Sequence, residues 1–376
     1  MRLVTESGLW RAGPTAAPVP LAAVLEVDGA VLSWTVDEPD SLAQITFTDL
    51  SRADWLWRVV GEDGHRALAA GTAAVTLDGC GEIDLAGVEV RPGALDGLRR
   101  LALGHWLRRW WPASVRDGIA GLNPAVLDAE IAVATAGADE FFGDGTLDSD
   151  VAGLLAPHAG ELRMLLLLGD ARIADLVRRC VDLAEEFGVD APGWLELADT
   201  LADGAAGTPV SARSDDYALA AGRGGGPEPA EMIARGVASL PWAGVPGGVF
   251  DAADGTVDWT IAVEKAGPVA LVRTVVIGPG SPAGIPITLR HNSFQATGTL
   301  DENGRAALPL VGGDARPVTA REAWDADWSG TAVTVGVEVE EASQVRERVR
   351  QFARERLTTP RPDAYLAEIL AAESDY

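Results

Sequence analysis

The stretch Gln295-Ala296-Thr297-Gly298-Thr299-Leu300-Asp301-Glu302-Asn303-Gly304-Arg305-Ala306-Ala307-Leu308-Pro309-Leu310 places two short strand-like segments on either side of a tight turn. Asn-Gly is the pair that a type I′ turn favours, because both of its central residues need positive φ, so the stretch reads as an antiparallel hairpin. Working outward, Val257–Val263, Leu271–Ile277, Ile287–Phe294 and Thr331–Glu340 alternate apolar and polar residues, with Pro and Gly at the breaks, as in Gly278-Pro279-Gly280-Ser281-Pro282. Short alternating strands with such punctuation predict a compact antiparallel β-sandwich over 241–341. Beyond it, Val345, Val349 and Phe352 mark one face of a helix, and Asp363–Leu370 reads as a short terminal helix, giving C-terminal helices over 342–376.

Toward the N-terminus a second β-rich region covers 1–91. Its expected strands are Leu21–Val27, Val31–Val36, Gln44–Thr48, Val75–Leu77 and Ile83–Val90, with a hairpin of Trp55–Val60 and His65–Ala69 about Gly61-Glu62-Asp63-Gly64. Pro92 and Gly93 end this pattern, and 92–202 reads as helical. The segments are Leu95–Trp111, Pro124–Phe142, Ser149–Leu155, Glu161–Phe187 and Trp194–Leu201. Asn123-Pro124 is an N-cap with proline at the first helical position, and Gly188 is placed as a C-cap. Leu162, Leu165, Leu166, Ile173, Leu176, Val177 and Cys180 recur every three or four residues, the stripe of a packed helix. Residues 203–240, rich in Gly, Ala and Pro, read as a linker, with a helical turn expected over Pro229–Arg235. The fold class is therefore α+β: a small N-terminal antiparallel β domain, a central helical region, and a C-terminal antiparallel β-sandwich followed by a C-terminal helix. Asp28-Gly29-Ala30-Val31-Leu32-Ser33-Trp34-Thr35 resembles Asp254-Gly255-Thr256-Val257-Asp258-Trp259-Thr260 with one residue inserted. Either both β regions share a first strand with a buried Trp, or the echo is coincidence.

Composition narrows the function. Of the 376 residues, 56 are acidic and 30 basic, a net charge of −26, and Lys265 is the single lysine. Such a surface repels nucleic acid, which makes that partner unlikely. Glu264 precedes the single lysine, so no Walker-type phosphate loop exists. Met1–Pro20 is broken by Gly8, Gly13, Pro14, Pro18 and Pro20 and lacks a leader pattern. The longest strongly apolar run, Met164–Leu168, is far shorter than a membrane span. Cys80 and Cys180 stand alone, without metal or disulfide-framework spacing. A cytoplasmic chain with reduced thiols, no membrane segment, no metal and no cofactor is expected.

The four histidines His65, His105, His158 and His291 form no H-E-x-x-H or H-x-E pattern, and no G-x-S-x-G occurs. Asp144-Gly145-Thr146-Leu147-Asp148-Ser149-Asp150 lacks the glycine and distal glutamate of an EF-hand, and a capped helix start explains it equally well. Asp251, Asp254 and Asp258 read the same way. Gly222-Arg223-Gly224-Gly225-Gly226 reads as linker rather than phosphate cradle, since Pro227 and Pro229 remove two amide donors. One segment reverses the local sign of charge. Between Leu98 and Arg116 lie Arg99, Arg100, Arg108 and Arg109 with no acid, and the helix turns Leu103, Trp106, Leu107, Trp110 and Trp111 to one broad face. Arg99, Arg100, Trp106, Arg108, Arg109, Trp110 and Trp111 are thus candidates for binding an acidic partner surface, with Trp as anchor. The competing reading makes the Trp face core and pairs the arginines with the chain's own carboxylates. Arg346, Arg348, Arg350, Arg354 and Arg356 pose the same choice near the C-terminus.

The stretches Leu101–Ser114, with its Gly104-His105-Trp106-Leu107-Arg108-Arg109-Trp110-Trp111-Pro112-Ala113-Ser114, and Val345–Tyr376, with its terminal Ala372-Glu373-Ser374-Asp375-Tyr376, resemble uncharacterised proteins of actinobacterial genomes. These are accessory members of multi-gene clusters associated with CHAT-type peptidases or sigma factors. The resemblance covers about an eighth of the chain, carries no catalytic motif and implies an accessory role only. The expected function is a non-enzymatic interaction with a protein partner. The alternative is a hydrolase or transferase whose site is assembled across domains around His105 or His291.

Overall fold

Ser7 and Gly8 both take positive φ, and the turn they make folds β1 (Arg2–Glu6) back onto β2 (Leu9–Ala12). These strands lie ahead of Leu21, where the sequence pattern placed the first one. The computed structural model describes residues 1–73, 81–143, 146–189, 193–204 and 231–374. With β3 (Ala22–Val27), β4 (Ala30–Thr35), β5 (Gln44–Phe47) and β6 (Glu82–Asp84), the hairpin builds an antiparallel sheet in the order β3-β4-β5-β2-β1-β6. Side chains alternate across it: Leu3, Trp10, Leu25, Leu32, Trp34 and Ile45 are buried, while Val4 and Val24 on the opposite face are exposed. Ile83–Val90, expected as one strand, pairs only over Glu82–Asp84. Val75–Leu77 lies outside the described residues.

The hairpin expected over Trp55–Ala69 is instead α1 (Leu56–Ala73), kinked at Gly61. Leu56, Val59, Val60, Gly61, Gly64 and Leu68 are its buried residues, a helical rather than an alternating period. Gly61 does adopt positive φ, but its partner Gly64 serves packing. A Cβ there would stand 3.1 Å from Val60 and 3.3 Å from Val88.

Six further helices follow: α2 (Asp96–Trp110), α3 (Pro124–Ala136), α4 (Thr146–Leu155), α5 (Ala159–Leu166), α6 (Ala171–Glu186) and α7 (Trp194–Gly204). Asn123 caps α3, its side chain accepting from the Val126 N–H at 3.0 Å. Ala125, Val126, Leu127, Ala129, Ile131 and Ala132 of α3 are all buried, so this helix is apolar nearly all round and sits at the centre of its bundle, against α4, α5 and α6. The single helix expected over Glu161–Phe187 is two. Gly169 turns with φ +82, and the Asp170 side chain then caps α6 by accepting from the Arg172 N–H at 2.8 Å.

Of the stretch read as linker, 203–240, residues 205–230 lie outside the described residues, as do Gly222–Gly226. Where a helical turn was expected over Pro229–Arg235, β7 (Glu231–Ala238) is a strand, held in a seven-pair ladder by β8 (Val257–Glu264). Next come β9 (Gly267–Thr274), β10 (Pro286–His291), β11 (Phe294–Thr299), β12 (Arg305–Pro309), β13 (Val311–Gly312), α8 (Ala320–Asp325) and β14 (Ala332–Val335). They form two four-stranded antiparallel sheets, β13-β11-β10-β14 and β12-β9-β8-β7. One core unites them: Trp259, Ile261, Val272, Leu289, Leu308 and Trp328. The chain ends with α9 (Ser343–Thr358) and α10 (Leu366–Ser374). The expected α+β class, with its N-terminal sheet, helical middle, sandwich and terminal helices, is the observed one.

The turn at Asp301–Gly304 corrects its reading. β11 and β12 do not pair with each other; β11 pairs with β10, β12 pairs with β9, and the turn carries the chain between sheets. Only Gly304 has positive φ, and the Asp301 carboxylate accepts the N–H groups of Asn303 and Arg305 at 2.8 and 2.9 Å. An Asp turn of this kind replaces type I′ geometry. The two Asp-Gly echoes do share a conformation: Gly29 and Gly255 have positive φ, and buried Trp34 and Trp259 follow on β4 and β8.

The chain divides into two compact units. The first comprises Met1–Arg108, Leu122–Ala212 and Arg354–Tyr376, the second Arg109–Gly121 and Arg213–Ala353.

Candidate functional site

The candidate residues of α2 are spread between core and ion pairs. Trp106 is 2% exposed, and its indole N–H donates to the Pro20 carbonyl at 2.5 Å. Trp111 is also buried and donates to the Ala120 carbonyl at 2.8 Å. Neither is placed as a surface anchor. Arg99 donates to the Glu38 carbonyl, Arg100 pairs with Glu130 at 3.3 Å, and Arg108 pairs with Asp128 at 2.9 Å. In the second unit Arg109 lies 4.2 Å over the half-buried Trp110 ring and reaches the Trp242 and Ala243 carbonyls. The C-terminal arginines behave alike: Arg346 and Arg350 meet Asp254 at 2.7 and 3.1 Å, while in the first unit Arg356 meets Glu368 and Asp363. Arg100, Arg108, Arg346, Arg350 and Arg356 thus face the chain's own carboxylates, while Arg99 and Arg109 donate to backbone carbonyls.

Asp128 is the most chemically loaded carboxylate of the first unit. It is 4% exposed on α3, its Oδ2 2.9 Å from His158 Nε2 and its Oδ1 facing Arg108. Burial, seconded by Arg108, holds the nearby His105 imidazole below its ordinary pKa, although Asp150 and Asp128 pull the other way. In the second unit buried His291 packs against Trp328 with ring centroids 4.7 Å apart and the planes tilted by 37°, with Thr331 Oγ1 at 3.1 Å and Asn292 Nδ2 at 3.0 Å from its ring nitrogens. Among the described residues no cluster of three or more His, Cys, Asp or Glu is arranged to hold a metal ion. Asp144 and Gly145 lie outside the described residues. Asp251 accepts the Val115 and Ala253 N–H groups at 3.0 and 2.9 Å, a structural use.

A cavity of about 480 Å³ opens among α2, α3, α6 and the start of α10. Leu98, Phe141 and Leu176 supply buried apolar walls, and Gly97, Ala134 and Gly137 leave the space unfilled. Its polar groups are Arg100, Glu130, Arg172, Asp175 and Arg179. Arg100 pairs with Glu130 and stacks on Tyr365, Arg172 forks onto Asp170 and Glu373, and Asp175 pairs with Arg178. Burial pushes the Glu130 carboxyl above its ordinary range, against the N–H groups of Leu366 and Ala367 and the charge of Arg100.

A surface feature was missed by the sequence reading. Met164, Leu167, Leu168 and Leu195 are exposed, Leu168 at 72% and Leu195 at 85%. Arg163 on α5 pairs with Glu196 on α7 at 2.7 Å, so the two helices that carry Met164 and Leu195 lie side by side. The signal was present, since five apolar residues at 100° each sweep the whole circumference of a helix and cannot all face inward.

Compared with family models, curated proteins and solved structures, the sequence finds no match. No helix among the described residues is long and apolar enough to cross a membrane.

Proposed function

We propose that the chain is a non-enzymatic interaction protein, an accessory component of a cytoplasmic bacterial system, as the actinobacterial resemblance implies. The observation that carries this reading is the exposure of four large apolar side chains, Met164, Leu167, Leu168 and Leu195, on and beside the paired helices α5 and α7, because large apolar side chains gathered at a surface mark contact sites. The net charge of −26 opposes a second copy of the chain as occupant and favours a partner with an apolar patch rimmed by basic side chains. The arginines of α2 then act in folding, not recognition. The test is affinity capture from the native host with the wild type and a Leu168→Glu, Leu195→Glu double variant. One protein retained at unit stoichiometry by the wild type and released by the double variant supports the proposal. Equal capture by both, or no stoichiometric capture, overturns it.

The enzyme reading around His105 or His291 keeps one supporting observation, moved to a different histidine: the 2.9 Å contact of His158 with buried Asp128. A carboxylate so placed orients an imidazole as a general base. Hydrolysis of activated esters that falls to background in His158→Gln would favour it over the interaction reading.

A further inference from the structure

We infer that the cavity among α2, α3 and α6 binds a small monoanion with an apolar body, its carboxylate or sulfonate held by Arg179. The volume, about 480 Å³, lies within the range of small-molecule sites. Its walls are apolar at Leu98, Phe141 and Leu176, so the body of the ligand is hydrocarbon rather than sugar. Gly97 is exposed at its rim, and a Cβ placed there would meet nothing within 4 Å, so a larger side chain at this position has room to lie across the opening.

Charge selects the head group. Of the charged side chains lining the cavity, Arg100 and Glu130 answer each other, Arg172 is taken up by Asp170 and Glu373, and Asp175 by Arg178. Among the described residues Arg179 has no carboxylate within ion-pair distance, in a chain with 56 acidic residues to 30 basic ones. One guanidinium matches one carboxylate in a forked pair, so the complement is a single negative charge.

Calorimetric titration of the full chain with decanoate, with 1-anilinonaphthalene-8-sulfonate and with decanol tests this, the two anions separating an aliphatic from an aromatic body. At least one anion is expected to bind at one site per chain, with decanol about tenfold weaker, as the loss of a charge-assisted hydrogen bond predicts. Arg179→Gln is expected to lose the same factor and Arg179→Lys to recover part of it. Gly97→Leu places a side chain at the opening and is expected to abolish binding at unchanged melting temperature. The Leu168→Glu, Leu195→Glu variant, altered only at exposed side chains that do not line the cavity, is expected to bind as the wild type does. No stoichiometric binding of either anion, equal binding of anion and alcohol, or binding that survives Gly97→Leu would overturn the inference.

Discussion

Arg356 and Glu368 face each other with both side chains closed to solvent, at 2% and 1% exposure, in a forked pair with Nη2 2.7 Å from Oε2. The arginine also reaches Asp363 at 3.1 Å, and Oε2 accepts the Tyr365 N–H at 2.9 Å. The pair therefore fixes the start of α10 against the end of α9 within the first unit. Removing one partner strands the other charge in a medium that cannot solvate it, whereas removing both strands no charge and leaves only the buried Tyr365 N–H without its acceptor. Glu368→Ala is expected to cost about 3–5 kcal/mol, and the Arg356→Met, Glu368→Met double variant to recover part of that loss, the unpaired Tyr365 N–H keeping the rest. Urea unfolding of the three proteins measures it; a double variant as unstable as Glu368→Ala would contradict this account.

Gly104 carries a second packing constraint. A Cβ on this residue would lie 2.3 Å from the Tyr365 hydroxyl oxygen and 2.8 Å from Ile131 Cγ1, so α2 can approach α3 and Tyr365 only because the side chain is absent. The Tyr365 hydroxyl meanwhile donates to the Arg100 carbonyl at 2.6 Å. Gly104→Ala is expected to cost about 1–3 kcal/mol by overpacking, although alanine is the better helix former. Adding Tyr365→Phe relieves the nearest contact and should recover part of the loss, while leaving the 2.8 Å approach to the ring carbon. A Gly104→Ala protein with unchanged thermal stability would show that the neighbours yield freely.

These two constraints mark the limit of what the amino-acid order reveals. Alternation and turn residues made β3, β4 and β5, β8 to β12 and β14 readable, and the cap at Asn123 and the stripe along α6 made those helices readable, because these are local properties, whereas β1, β2, β7 and α1 were not read as such. Gly61-Glu62-Asp63-Gly64 misled because glycine serves backbone geometry and close packing alike, and only the neighbour at Val88 tells which. Asn303-Gly304 misled because a turn sequence specifies a reversal, not which sheet the next strand joins. The α2 arginines were legible as a charge reversal, but their partners Glu130 and Asp128 lie 20 to 30 positions away and meet them only after folding. The 480 Å³ cavity was not legible at all, being the space left where glycine and alanine on separate helices coincide.

Glu130 makes the electrostatic state of that cavity measurable. Burial raises its pKa in the folded chain above the ordinary value of 4.5, more than the Leu366 and Ala367 amides and Arg100 lower it. The folded state therefore favours the protonated acid more than the unfolded state does. Its contribution to stability is fully present below the unfolded pKa and declines as pH rises from about 4.5 through the folded pKa. Glu130→Gln holds the group neutral at every pH and removes this decline. Over pH 4 to about 7, the stability of Glu130→Gln relative to the wild type is expected to rise with pH in urea unfolding. A difference that stays flat, or that falls with pH, would mean that Arg100 and the start of α10 dominate and hold the carboxylate ionised.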